Sequence, residues 1–95
     1  MEVKKDGTKI QSLQIGIQII DVIAKERRPL KFTEIQERTK MTKSNLYKYL
    51  NTLVYLDMLY RDNEFGTYVL GPRLIEYGLI ASDQENLLER IQPFL

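Results

Sequence analysis

The chain has no cysteine and no histidine among its 95 residues. Without cysteine it can build neither a disulfide framework nor a thiolate metal site. Without histidine it lacks the commonest general base and the commonest metal ligand together. Long apolar runs are missing too: no stretch approaches the roughly 20 apolar residues that span a bilayer. The opening Met1-Glu2-Val3-Lys4-Lys5 is too polar for a signal peptide. A cytoplasmic protein is therefore expected, with no membrane association, no metal and no cofactor. An enzyme would need paired carboxylates or an activated Ser or Lys in a pocket, which a domain of this size rarely encloses. No catalytic residues are expected, and Asp83, Glu85 and Glu89 read as the solvated face of a late helix.

What is present suits one small core: 43% of the residues are hydrophobic and 28% charged. The net charge of +1 conceals an uneven distribution. Lys25, Arg27, Arg28, Lys31, Arg38, Lys40, Lys43 and Lys48 face only Glu26, Glu34 and Glu37 in residues 25–49, a balance of +5. Residues 50–95 carry −4. A basic block inside a balanced chain marks either a phosphate-facing surface or a solvated face without a partner.

Ser12 is placed to cap a first helix, along which Leu13, Ile17, Ile20 and Ala24 recur at helical spacing. A second apolar set, Ile15, Ile19, Val22 and Ile23, covers the adjoining face, so this helix must bury more than one side. The second side meets either a partner chain, through Ile15, Ile19 and Val22, or the chain's own carboxyl-terminal segment. Arg27-Arg28-Pro29 ends the helix, and Leu30-Lys31-Phe32 alternates as a short strand would. Thr33 and Gln36 form a capping box for a short second helix, with Phe32 as the apolar residue of a staple.

After the polar connection Thr39-Lys40-Met41, Thr42 caps a third helix that reaches about Asp57. Leu46, Tyr49, Leu50, Leu53 and Leu56 form its inward face; Ser44, Tyr47, Lys48, Asn51 and Tyr55 lie opposite. A short helix, a tight connection and a longer helix with a polar outward face make the helix-turn-helix pattern. Two β-like runs, Met58–Arg61 and Thr67–Leu70, are joined by the turn formers of Asp62–Gly66 as a hairpin, or wing. Leu30–Phe32 can add a third strand. Gly71-Pro72 opens a further helix, and Ser82 with Glu85 opens another bearing the stripe Leu87, Leu88, Ile91 and Leu95. That stripe has no terminating signal, which suggests a parent chain that continues.

In this order the motifs are recognisable. The chain resembles the amino-terminal domain of the IclR family of bacterial transcription regulators over roughly residues 10–80. The likeness rests on Ser12-Leu13, on Glu37-Arg38-Thr39 with Lys43-Ser44, and on Leu50, Thr52, Leu53 and Leu56. Tyr68-Val69-Leu70-Gly71-Pro72-Arg73-Leu74 with Glu76 and Gly78 carries most weight. The chain departs from the family's pattern at Lys40 and Asp57, where glycine is usual, and at Thr42, where proline is frequent. Asn45, Tyr47 and Lys48 stand where threonine, histidine and arginine are commoner. The resemblance implies dimerisation through the DNA-binding domains and a small-molecule effector bound by a carboxyl-terminal domain that these residues do not include.

The expected fold class is mainly α: a three-helix winged helix-turn-helix with a short β-hairpin wing, followed by linker helices. Residues 1–9 are expected to form a flexible basic arm with Lys4, Lys5 and Lys9, or simply a frayed end. Residues 10–71 form the DNA-binding domain, and 72–95 the linker helices. The expected partner is a double-stranded DNA operator, bound by a homodimer. Thr42, Lys43 and Ser44 are placed for phosphates or base edges, Asn45 for adenine, and Lys48 for guanine or a phosphate. Tyr47 can offer its hydroxyl or its ring, while Asn51, Thr33 and the wing's Arg61 complete the candidate set. The competing reading is a winged helix used for protein–protein contact, for which Tyr47 and Tyr55 would be the exposed anchors.

Overall fold

The computed structural model describes residues 8–84. Along them run α1 (Gln11–Glu26), β1 (Leu30–Lys31), α2 (Phe32–Thr39), α3 (Lys43–Tyr55), β2 (Leu59–Asp62), β3 (Thr67–Leu70) and α4 (Pro72–Ser82). Among the described residues nine buried side chains hold the body together: Ile19 and Ile23, Leu30, Ile35, Leu46, Leu50 and Leu53, Leu59, and Tyr68. Every element except α4 contributes at least one of them. Burying each aliphatic side chain contributes about 1.5–3 kcal/mol, which makes this cluster the main source of stability.

The core reverses the expected roles of the two faces of α1. Ile19 and Ile23 are buried, and Ile15, Ile20 and Val22 pack against the cluster, whereas Leu13 and Ile17 are exposed. Ile19, read as a dimerisation residue, is fully covered within its own chain and is unavailable to a partner. Ile15 and Val22 are half-buried against the same cluster. Both faces of α1 carry apolar side chains at helical spacing, so only its packing against α2 and β3 decides between them.

Two expected caps also shift. Ile10 is the N-cap of α1, without a side-chain bond, and Ser12 lies inside the first turn. For α2 the cap is Lys31 rather than Thr33: the Lys31 amide donates to Glu34 Oε1 at 2.9 Å, so Glu34 takes the part expected of Gln36. The cause is the sheet, because β1 must bury Leu30 and the helix must then turn Ile35 into the core. Gln36 serves the next turn instead, accepting from the Lys40 amide at 2.8 Å and donating through Nε2 to the Met41 carbonyl at 3.2 Å.

The sheet is antiparallel in the order β1-β3-β2. Leu30 pairs with Tyr68 on one side of β3, and Leu59 through Asp62 pair with Leu70 through Thr67 on the other. Asp62 closes the hairpin: its Oδ1 accepts from the Glu64 amide at 2.9 Å and its carbonyl from Gly66 at 2.7 Å. Gly66 has φ +66°, a left-handed conformation that glycine adopts without penalty.

Gly71 makes the exit from the sheet possible. A Cβ there would lie 2.4 Å from the Asp57 carbonyl oxygen and 2.8 Å from the Leu59 nitrogen, both backbone atoms. Pro72 then occupies the first turn of α4, and Arg73 anchors it: its amide donates to Asp57 O at 3.0 Å and its Nε to Leu56 O at 3.0 Å. No residue of α4 is buried. Ser82 closes this helix, its hydroxyl donating to the Leu79 carbonyl at 2.9 Å. Its expected partner Glu85, the stripe from Leu87 to Leu95, and Lys4 and Lys5 lie outside the described residues. Among the described residues no helix is long and apolar enough to cross a membrane.

Candidate nucleic-acid interface

The turn between α2 and α3 fixes the direction of the candidate reading helix. Lys40 sits at φ 60° and Asp57 at φ 62°, so both positions where the resemblance anticipates glycine are left-handed. A non-glycine residue there costs about 1–2 kcal/mol, which the surrounding packing must offset. Thr42 caps α3 as expected, its hydroxyl accepting from the Asn45 amide at 3.4 Å. With Leu46, Leu50 and Leu53 inward, the helical period turns the other side of α3 to solvent.

Lys43, Ser44, Asn45, Tyr47, Lys48 and Asn51 are all exposed on α3. They do not form a single line. Ser44, Lys48 and Asn51 run along the middle of the outward face. Tyr47 leans toward α2, its ring meeting Phe32 edge-on at a centroid distance of 5.9 Å and an interplanar angle of 65°. Asn45 and Lys48 border an apolar groove of about 520 Å³ between α1 and α3, floored by Leu13, Gly16, Ile17 and Leu53. Thr33 is exposed in the first turn of α2.

The basic block divides into two kinds of cation. Arg28 Nη2 lies 2.9 Å from Glu34 Oε2, and Arg38 Nε lies 3.0 Å from Glu26 Oε2, so these arginines stitch the end of α1 to α2. The Arg28 hydrogen bond, helped by the Lys31 amide, holds the Glu34 carboxyl down to about 2. Among the described residues, Lys31, Lys40, Lys43 and Lys48 make no ion pair, and they lie on or beside the helix-turn-helix. Arg61 is less free: it donates to Asn63 Oδ1 and lies 5.9 Å above the Tyr68 ring. The wing therefore presents a guanidinium already oriented by its own hairpin, through Asn63 of the loop and Tyr68 of β3.

Sequence reasoning missed two features of this surface. The carboxylates that hold Arg28 and Arg38 come from two helices, and no local spacing signals their meeting. Phe32 reads from the sequence as the end of a short strand and the apolar residue of a staple, whereas it opens α2 and touches Tyr47.

A helix-turn-helix followed by a hairpin, with amides and cations facing outward on its second helix, defines a winged helix-turn-helix domain of the nucleic-acid-binding class. The chain belongs to the IclR helix-turn-helix domain family, whose model matches residues 12–63. It is 35% identical over 86 residues to the HTH-type transcriptional regulator XynR of Escherichia coli (strain K12), covering 90% of this chain and 34% of that protein. It is 29% identical over 91 residues to the HTH-type transcriptional regulator BhcR of Paracoccus denitrificans (strain Pd 1222), covering 96% of this chain and 32% of that one. The solved Thermotoga maritima IclR superposes with a TM-score of 0.71 at 29% identity, covering 90% of this chain and 34% of the other. The chain thus spans about a third of the length of the curated relatives it matches.

Proposed function

We propose that this chain is the sequence-specific, double-stranded-DNA-binding domain of an IclR-like bacterial transcription regulator, cytoplasmic and without catalytic activity. The observation that carries the reading is the outward face of α3, where Lys43 and Lys48 stand without an ion-pair partner among the described residues, beside exposed Ser44, Asn45 and Asn51. Such a face fits the major groove, where amides and ammonium groups meet base edges. Lys43, with Thr42 and Ser44, takes the phosphates and edges at the helix start. Asn45 suits adenine, Lys48 suits guanine, and Asn51 continues the line. Thr33 offers a hydroxyl to the phosphate backbone, and Arg61 carries the wing to the flanking groove or phosphates.

A two-fold dimer completes the reading, but through a different face from Ile15, Ile19 and Val22. Ile10 at the N-cap of α1 and Leu13 and Ile17 on it are 68%, 64% and 53% exposed, and α4 adds exposed Ile75 and Leu79. An isologous contact would cover such surfaces. Residues 72–95 then lead, as a linker, to a domain that binds the small-molecule effector.

Salt titration of duplex binding tests the core of the proposal. Affinity should fall steeply with salt, and Lys43→Ala should lower the slope by about one while weakening all sequences alike. Binding no stronger than that of a protein of matched surface charge returns the face to the protein-contact reading.

A further inference from the structure

Tyr47 is 56% exposed, and among the described residues its hydroxyl has no hydrogen-bond partner. On a helix, χ1 of an aromatic side chain is confined to two of its three staggered wells, so an unsupported Tyr47 would divide its time between two directions. Among the described residues its one aromatic neighbour is Phe32. The 5.9 Å separation and 65° inclination fall within the favoured edge-to-face geometry. Phe32 itself is not free to follow: it opens α2, is half-buried and packs against the core cluster. A ring anchored in the body thus leans on a ring at the candidate interface.

We propose that Phe32 is a positioning residue for base recognition: it holds the Tyr47 ring in one direction, so that sequence preference beside Tyr47 depends on a side chain anchored in the core. The inference rests on α3 reading DNA. A ring held in one well meets the groove already oriented, whereas a ring averaging two wells meets different neighbours and discriminates less.

The test uses this chain, Phe32→Leu, Phe32→Tyr, Tyr47→Leu and the double variant Phe32→Leu/Tyr47→Leu. Leucine keeps an apolar contact with the core and removes the ring; tyrosine keeps the ring. Without DNA, the χ1 couplings of Tyr47 measured by NMR should pass from one well to an average in Phe32→Leu, and return in Phe32→Tyr. With DNA, competition between the best duplex selected from a random pool and its single-base variants should show discrimination at one or two adjacent pairs falling about 2- to 10-fold in Phe32→Leu. Phe32→Tyr should restore it, and nonspecific affinity and salt slope should stay unchanged. In the Tyr47→Leu background, Phe32→Leu should change discrimination no further. Loss spread equally over all base pairs, or the same loss without Tyr47, marks Phe32 as merely structural and overturns the inference. A wild-type chain that discriminates while Phe32→Leu discriminates equally removes this inference alone. A wild-type chain that binds every duplex alike overturns the DNA reading and this inference with it.

Discussion

α3 and α4 are helices of 13 and 11 residues, both with several large apolar side chains, yet they are used in opposite ways. α3 drives Leu46, Leu50 and Leu53 into the core and packs on β2. α4 leaves the sheet at Gly71, is tied to the end of α3 through Arg73, and keeps Ile75, Leu79 and Ile80 at 64%, 64% and 54% exposure. Amphipathic spacing says that a helix has an apolar face; it does not say what covers that face. For α3 the cover is the body of the domain, which turns its polar side outward. For α4 the described residues supply no cover.

The sharpest way to break this contrast is to truncate one leucine on each helix. Leu50→Ala should cost about 2–5 kcal/mol by losing burial and leaving a cavity. Leu79→Ala, followed by urea unfolding in dilute solution, should stay within about 0.5 kcal/mol. Equal losses would mean that α4 belongs to the same core.

The junction between the two regions comes next. Gly71→Ala should destabilise by about 1–3 kcal/mol, because the new methyl group meets the Asp57 and Leu59 backbone, which has little room to move. An unchanged midpoint in thermal unfolding would show that α4 swings away without cost. A smaller effect of opposite sign is expected at the turn that aims α3: Lys40→Gly should stabilise by about 0.5–1 kcal/mol, since left-handed strain is relieved and partly offset by glycine's chain entropy. Denaturant titration reads it, and a loss of stability would show that the lysine stem contributes more than its backbone strain costs.

The smallest effect concerns Glu34. Its carboxyl is held low by Arg28, so the native state favours the ionised form more than the unfolded chain does. The associated stability is present above the ordinary carboxylate range and is lost as pH falls toward about 2. Glu34→Gln should flatten that part of the acid-unfolding profile. Because the pair is exposed, solvent screening keeps the contribution small.

Much of this organisation is legible in the residues. Thr42 announces the start of α3, Gly71-Pro72 that of α4, and the Asp62–Gly66 turn formers announce the hairpin. The outward residues of α3 follow once Leu46, Leu50 and Leu53 are taken as core, because a regular helix permits no other arrangement. α1 resists the same logic: Leu13 and Ile17 repeat as well as Ile19 and Ile23, and only contacts with distant segments select the buried set. The start of α2 was displaced for a similar reason, since the pairing of Leu30 with Tyr68 fixes where the chain turns. The contact between Phe32 and Tyr47 depends on how two helices cross, which no local pattern contains.

Selection of bound duplexes from a random pool, repeated with Asn45→Ala and Lys48→Ala, tests the central claim most directly. The wild-type chain should enrich a consensus, and each substitution should cost about 1–3 kcal/mol on that sequence while relaxing preference at one or two base pairs. If no consensus emerges, or if both variants retain the wild-type consensus and affinity, α3 does not read DNA.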